Sequence, residues 1–170
     1  TNETSSCVND IGLYLGKVLT DKQKYDLIIN HFQPDKTFVW PYKERITVLN
    51  KKSIIEKRYL KENHLDEFKW LRYSLVHKGL YCIACSIFAK PVSGVRSLGK
   101  LVDKSLDDYK HLLGNNGDLM LYQNKNYHLD SVTKMNNFVY IYSKKPELSV
   151  EVNIQDSLET INIRKIYCRQ

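Results

Sequence analysis

The sequence predicts an α+β fold, in which a small β-hairpin carrying two cysteines is flanked by helices. Two observations lead to this prediction. The segment around Cys82 and Cys85 is rich in β-branched and aromatic side chains, which favour strands. Apolar residues recur at helical spacing on both sides of it, within residues 10–32 and again within residues 128–141.

The composition is that of a folded domain. Of the 170 residues, 42% are hydrophobic, which supplies enough apolar surface for a core and argues against wholesale disorder. The length corresponds to one or two domains. No apolar run approaches the ~20 residues that cross a bilayer, and the N-terminus has no signal-peptide pattern, so no membrane partner is expected. Four cysteines are too few for a dense disulfide framework, which favours a reducing interior compartment.

The chain is basic. It carries 26 Lys and Arg residues against 19 Asp and Glu residues, a formal net charge of +7. This sign favours polyanionic partners, because each neutralised phosphate releases condensed counterions. The cations are spread along the chain, so a set of solvated faces is the alternative interpretation. Charge therefore indicates a class of partner without naming one.

A helix is predicted within residues 10–32. Thr20 is a suitable N-cap, and Gln23 follows three residues later, as in a capping box. Apolar residues then recur at helical spacing, and Pro34 ends the helix.

The middle of the chain is harder to assign. Residues 43–58 mix lysines with apolar side chains in a pattern that fits helix and strand equally. Residues 59–73 are predicted to form a short helix with an aromatic face. The hairpin follows over residues 74–88, with the thiols at its tip. Ser105 is expected to cap another helix, which Gly114 ends.

The last third of the chain predicts two helices. The first runs from His128 to about Ile141 and places its apolar residues on one face: Val132, Met135 and Val139. Residues 150–170 also have helical spacing.

Cys82 and Cys85 are the strongest chemical signal in the sequence. Two thiolates at this C-x-x-C spacing can hold one tetrahedral Zn²⁺ ion. Thiol–disulfide exchange is an alternative, but it usually places the first cysteine at a helix N-terminus, whereas the flanks here favour strand. Two inert buried thiols are the third possibility.

A structural zinc site needs four donors, so two more ligands are required. His128 is the best candidate, because it opens a predicted helix that could return to the hairpin. It lies 43 positions after Cys85, and so long a connection is tolerable because loop-closure entropy grows only logarithmically with length. His111 is the next candidate and His77 follows it. The sequence alone does not identify the fourth zinc ligand.

Two motifs combine unusual residues at fixed spacing: Phe68-Lys69-Trp70-Leu71-Arg72-Tyr73-Ser74, then Gly79-Leu80-Tyr81-Cys82-Ile83-Ala84-Cys85-Ser86-Ile87-Phe88. Together they resemble the TTF-type zinc finger, which precedes the catalytic region in many hAT-superfamily transposases. It also occurs in derived host proteins, including MYM-type zinc-finger-like proteins and the repressor of the inhibitor of the protein kinase. Tyr127-His128-Leu129-Asp130-Ser131-Val132 is similar to the second half of the His-x5-His pair that completes the family pattern.

The resemblance implies three regions. Residues 1–57 correspond to a leader with a helix, residues 58–142 to the TTF-type finger, and residues 143–170 to a linker and the start of a truncated transposase core. The implied fold is a small zinc-binding β-hairpin plus helices, between a helical leader and a C-terminal helix. The likeness is strongest over residues 59–88.

Two features depart from the family pattern. Tyr122 stands where the family has the first histidine of its pair, and a phenol with a pKa near 10 is a poor replacement for imidazole. In addition, the acidic residues that hold catalytic Mg²⁺ in these transposases lie downstream of the region matched here. The chain is therefore expected to be no enzyme.

The resemblance and the charge together predict a zinc-dependent DNA-binding module of the nucleus. Phosphate contacts are expected from eight basic residues: Lys51, Lys52, Lys57, Arg58, Arg72, Lys100, Lys104 and Lys110. One alternative is a protein-interaction module, whose aromatic surface docks another protein chain or a downstream RNase H-like transposase domain. A redox enzyme that uses Cys82 and Cys85, and an inactive transposon remnant, are the others.

Overall fold

A computed structural model describes residues 8–49, 51–91 and 97–144 of the chain. The described residues form an α+β fold, as the sequence predicts, with two separate two-stranded antiparallel sheets. After a short 3₁₀ helix at Ile11–Leu13, the elements are α1 (Asp21–Ile29), β1 (Tyr42–Leu49), β2 (Lys52–Tyr59), α2 (Glu62–Glu67), β3 (Leu71–Ser74), β4 (Gly79–Cys82), α3 (Ile83–Phe88), α4 (Asp118–Gln123) and α5 (Asn126–Ser143). The predicted helix within residues 150–170 lies outside the described residues.

The start of α1 confirms the predicted capping box. The Thr20 hydroxyl oxygen accepts a hydrogen bond from the Gln23 backbone N–H at 3.2 Å, and the Gln23 side chain accepts one from the Thr20 N–H at 2.9 Å. Both bonds satisfy donors that a helix N-terminus leaves unpaired. The helix ends at Ile29, several residues before Pro34, so the proline does not terminate it directly.

The prediction that the two thiols lie at the tip of a hairpin is wrong. β3 pairs with β4 from Leu71 opposite Cys82 to Ser74 opposite Gly79, and α3 begins at the next residue, Ile83. The thiols therefore lie at a strand-to-helix junction rather than at a turn. Strand propensity is a weak preference, and here the Cys82 sulfur accepts a bond from the Cys85 N–H and caps a helix instead.

Two further helix predictions need correction. The helix expected over residues 59–73 is confined to Glu62–Glu67, and its expected end is strand β3. The helix expected to begin at Ser105 does not form, because the backbone there pairs with β4 instead. Leu80 and Leu106 exchange two N–H···O bonds of 2.9 Å, and Gly79 has no room for a Cβ, which would lie 2.5 Å from that of Ser105.

The leader packs onto the β3–β4 hairpin. The buried Asp10 carboxylate accepts hydrogen bonds from the backbone N–H groups of Gly12 at 2.8 Å, Leu75 at 2.6 Å and Val76 at 3.2 Å. Leader side chains share one apolar cluster with the junction between β4 and α3: Ile11, Leu13, Tyr14, Leu27, Ile28, Tyr81 and Ile83. This packing fixes the junction from the N-terminal side.

Helix α5 confirms the prediction of a helix beginning near His128. It packs against α3, with the rings of Phe88 and Phe138 5.7 Å apart. Val132 and Met135 contact the larger apolar cluster, which contains Trp70, Leu80 and both cysteines. Within the part of the chain that the structure describes, no helix has the length and hydropathy needed to span a membrane.

Residues 43–58, whose sequence fits helix and strand equally, belong to a β-hairpin. β1 and β2 pair over their whole length, from Tyr42 opposite Tyr59 to Leu49 opposite Lys52, and residues 50–51 connect them. We call this pair of strands the ribbon. Most of its side chains are exposed on both faces.

Candidate metal centre

Cys82 is held at the point where β4 gives way to α3. Its backbone N–H donates to the Leu101 carbonyl at 2.7 Å, and its sulfur accepts a hydrogen bond from the Cys85 N–H at 3.4 Å as the N-cap of α3. The Ile83 N–H, one residue later, donates to the Trp70 carbonyl at 2.9 Å. These bonds fix the direction in which the Cys82 thiol leaves the backbone.

Cys85 and His128 approach from two helices that pack together. Cys85 lies in the first turn of α3, and His128 lies in the first turn of α5. Both thiols are fully buried, and the imidazole is 2% exposed. The packing of α3 on α5 therefore brings together residues that are 43 positions apart in the sequence.

The three side chains have the separations that a tetrahedral site requires. His128 Nδ1 lies 3.4 Å from Cys82 Sγ and 3.6 Å from Cys85 Sγ. With Zn–S bonds near 2.3 Å and Zn–N bonds near 2.0 Å, tetrahedral angles place sulfur and nitrogen about 3.5 Å apart. All ligand atoms lie within 4.8 Å of one another. The predicted grouping of Cys82, Cys85 and His128 is thus confirmed, as a cluster that could hold a metal ion.

Aromatic rings surround the imidazole. The Trp70 ring meets the His128 ring edge-on at 4.7 Å, and the Tyr122 ring lies 5.0 Å from it at a similar angle. Trp70 and Tyr122 are themselves 5.3 Å apart. These contacts restrict rotation of the imidazole and exclude water from the donors.

Tyr122 lies beside the three donors, close to the His128 ring and to both cysteines. Its side chain is 3% exposed, and its hydroxyl has no hydrogen-bond partner of good geometry among the described residues. Burial raises the pKa of Tyr122 well above its usual value, and the neighbouring Cys82 and Cys85 raise it further. The neutral phenol is therefore the stable form of this side chain beside the sulfurs.

The pKa values of the two thiols are shifted in opposite directions. The hydrogen bond from Cys82, followed by contacts with His128 and Tyr122, holds the pKa of Cys85 well below the usual value for a thiol. Burial raises the pKa of Cys82 instead. A metal that binds both sulfurs as thiolates must therefore displace the remaining proton.

The other candidate ligands do not join the cluster. His111 is exposed, and its backbone carbonyl accepts a bond from the Asp118 N–H at 2.8 Å. His77 is also exposed, and its ring bonds the Tyr81 hydroxyl at 2.6 Å. The structure thus supplies three of the four predicted metal ligands and leaves out His111.

Of the predicted phosphate contacts, Arg72 is the one that the structure contradicts. Its guanidinium donates to the carbonyls of Lys69 at 2.8 Å, Leu71 at 2.9 Å and Ile28 at 3.1 Å. Burial lowers the pKa of Arg72 to about 10. Its role is to tie the end of α1 to β3, so it is not available to a phosphate.

The remaining predicted contacts fall into two groups. The ribbon carries four of them: Lys51, Lys52, Lys57 and Arg58. Lys57 lies on the opposite face from Arg58, and its Nζ is 4.4 Å from the centre of the Tyr42 ring. Lys100 and Lys104 are exposed near the Leu101 backbone, and Lys110 lies 3.8 Å from the Asp108 carboxylate. Arg45 is a further cation on the ribbon, and its alternation with Lys43 along β1 is a pattern that the sequence already contains.

Comparison with protein-family models, with curated proteins and with solved structures finds no match to this chain. The resemblance to the TTF-type finger therefore stays a prediction. What the structure establishes is the α+β fold and a buried group of two cysteines and one histidine that could bind a metal ion.

Proposed function

We propose that this chain is a zinc-stabilised DNA-binding module and that the metal has a structural role. The observation that carries the proposal is the 3.4 and 3.6 Å separation of two buried sulfurs from one imidazole nitrogen. Thiolate and imidazole donors in tetrahedral arrangement are the ligands that zinc prefers. Because all three donors are buried, a substrate has no access to the ion, which favours a structural role.

The zinc ion joins the β4–α3 junction to α5. Cys82 and Cys85 come from that junction, and His128 comes from α5. Intact zinc fingers gain on the order of 10 kcal/mol of apparent folding free energy from their metal. The described residues supply three donors to the cluster rather than four, so we expect a smaller contribution.

DNA is the proposed partner because the chain is basic and carries exposed cations on two segments. The net charge is +7, and exposed lysines and arginines lie on the ribbon and near Leu101. We assign the chain to the TTF-type finger region of a hAT-like transposase or a derived nuclear regulator. In this assignment it has no enzymatic activity of its own, and a downstream RNase H-like domain or other protein chains are further partners.

Redox chemistry is the second candidate, because Cys82 caps the N-terminus of α3. Cysteines at a helix N-terminus are typical of thiol–disulfide exchange. The thiols are fully buried, however, and exchange requires a sulfur that another molecule can reach. A labelling reagent for thiols separates the two functions, since a zinc-bound pair reacts slowly and a redox pair reacts at once.

Zinc-dependent DNA binding tests the proposal. The full chain is loaded with zinc, and its affinity for labelled duplex DNA is measured by fluorescence anisotropy at 50 and 200 mM salt. About six phosphate contacts should cost ~10³-fold in affinity over this range. Removal of zinc should abolish the binding. Salt-independent binding would favour the protein-interaction module, and no binding with zinc present would favour the inactive remnant.

A further inference from the structure

The ribbon has two chemically different faces. Because strand side chains alternate, the register places tyrosines, isoleucines and a valine on one side, which we call the apolar face: Tyr42, Glu44, Ile46, Val48, Ser53, Ile55, Lys57 and Tyr59. The opposite side, which we call the charged face, holds Lys43, Arg45, Thr47, Leu49, Lys52, Ile54, Glu56 and Arg58. The charged face carries four cations and one carboxylate.

The ribbon is anchored at its base, and beyond the base most of its side chains are exposed in the part of the chain that the structure describes. The Leu60 N–H donates to the Pro41 carbonyl at 2.9 Å, and Lys43 pairs with Asp107 at 3.1 Å. The rings of Tyr42 and Tyr59 lie 5.1 Å apart across the two strands. The outer part of the ribbon therefore keeps a defined direction while both its faces remain exposed to solvent.

Two cations of the charged face are available to a partner. Arg58 pairs with Glu56 at 2.7 Å, and Lys43 pairs with Asp107. Within the described part of the chain, Arg45 and Lys52 take part in no ion pair. Lys51, at the tip, adds a third cation beside them.

We propose that the charged face of the ribbon enters the major groove of double-helical DNA, with Arg45 and Lys52 as its principal contacts. This inference rests on the proposed DNA-binding function and assigns the surface that performs it. The positive charge of the face complements the negative groove walls, and a second copy of the same face would be repelled.

The dimensions of the ribbon agree with this partner. Two strands lie about 4.8 Å apart, so with their side chains they fill a major groove about 12 Å wide. Arginine and lysine are the side chains that most often contact guanine there, and Thr47 between them can contact a thymine methyl group. The major groove of duplex RNA is too deep and narrow for such a ribbon.

The test compares two doubly substituted full-length chains, both loaded with zinc. In the first, Arg45→Gln and Lys52→Gln remove two cations from the charged face. In the second, Lys36→Gln and Lys69→Gln remove two exposed cations elsewhere, so the net charge is the same. Affinity for a labelled duplex of mixed sequence is measured against salt, and zinc content and the thermal melt check that both variants fold.

We expect the ribbon variant to lose about 30-fold in affinity and to show a salt slope smaller by up to about 2, while the control loses little. Equal losses in the two variants, or equally tight binding of duplex RNA by the original chain, would overturn the inference and leave the proposed function standing. If the unsubstituted chain binds no DNA, the proposed function itself fails. An Ile46→Ser, Ile55→Ser variant of the apolar face should keep its DNA affinity.

Discussion

His128 Nδ1 lies 3.4 Å from Cys82 Sγ, although 46 positions of sequence separate the two residues. The contact joins the end of a strand to the first turn of α5, across the interface that α3 and α5 share. The stability of this interface should therefore depend on what these atoms bind.

Replacing Cys82 by serine should remove the metal and unfold the region from Tyr81 to Phe138. The hydroxyl does not supply a thiolate, and the junction loses its connection to α5. We expect a loss of at least about 3 kcal/mol in the free energy of unfolding, measured by urea denaturation with zinc present. Cys7→Ser is the matched control. If the unsubstituted chain gives the same unfolding curve in metal-free buffer as in zinc, the structural role of the ion is contradicted.

Replacing Tyr122 by histidine should tighten zinc binding. The Tyr122 ring lies 5.0 Å from the His128 ring and beside both sulfurs, so an imidazole there can supply the missing nitrogen donor. Competition with a chelator measures the gain, which we expect to be about tenfold or more. Tyr122→Phe is the control, since it removes the phenol oxygen beside the sulfurs and adds no metal donor. Equal zinc retention in the two variants would show that this position does not reach the ion.

Replacing Arg72 by glutamine should lower stability without changing DNA contacts. The guanidinium bonds three carbonyls, including that of Ile28 near the end of α1, where helix carbonyls lack partners of their own. We expect a loss of about 1–3 kcal/mol in the free energy of unfolding. The salt slope of DNA binding should stay unchanged in the folded variant. If the salt slope of DNA binding instead falls by ~0.9, Arg72 contacts a phosphate after all.

His31 should make stability fall in mildly acidic solution. Burial, assisted by the positive charge of Arg72, lowers the pKa of His31 to about 4 from 6.5. Between these two values the unfolded chain binds the proton and the folded chain does not, so this contribution to stability falls as the pH falls from 6.5 towards 4. Urea denaturation across this range measures it. The His31→Gln variant should show a weaker pH dependence, and an identical profile would refute the assignment.

Much of the site could be predicted because its signals are local. The capping box at Thr20, the helix through His128 and the C-x-x-C spacing each depend on a few neighbouring residues. His128 was identified because it opens that helix, and α3–α5 packing then places it by the sulfurs.

The failures have a different cause, since they depend on partners far away in the sequence. The backbone at Leu106 pairs with Leu80, which no helical pattern after Ser105 could reveal. Helix α3 has only six residues, too few for a period to be recognised. The ribbon is exposed on both faces, so apolar residues such as Ile54 and Ile55 follow no burial alternation.

Metal content is the measurement that tests the central claim most directly. The full chain is purified without chelator, and zinc per chain is determined by elemental analysis beside a Cys85→Ser variant. We predict one zinc ion per chain, lost in the variant. Metal-free protein that nevertheless folds and melts like the zinc-loaded chain would contradict the account.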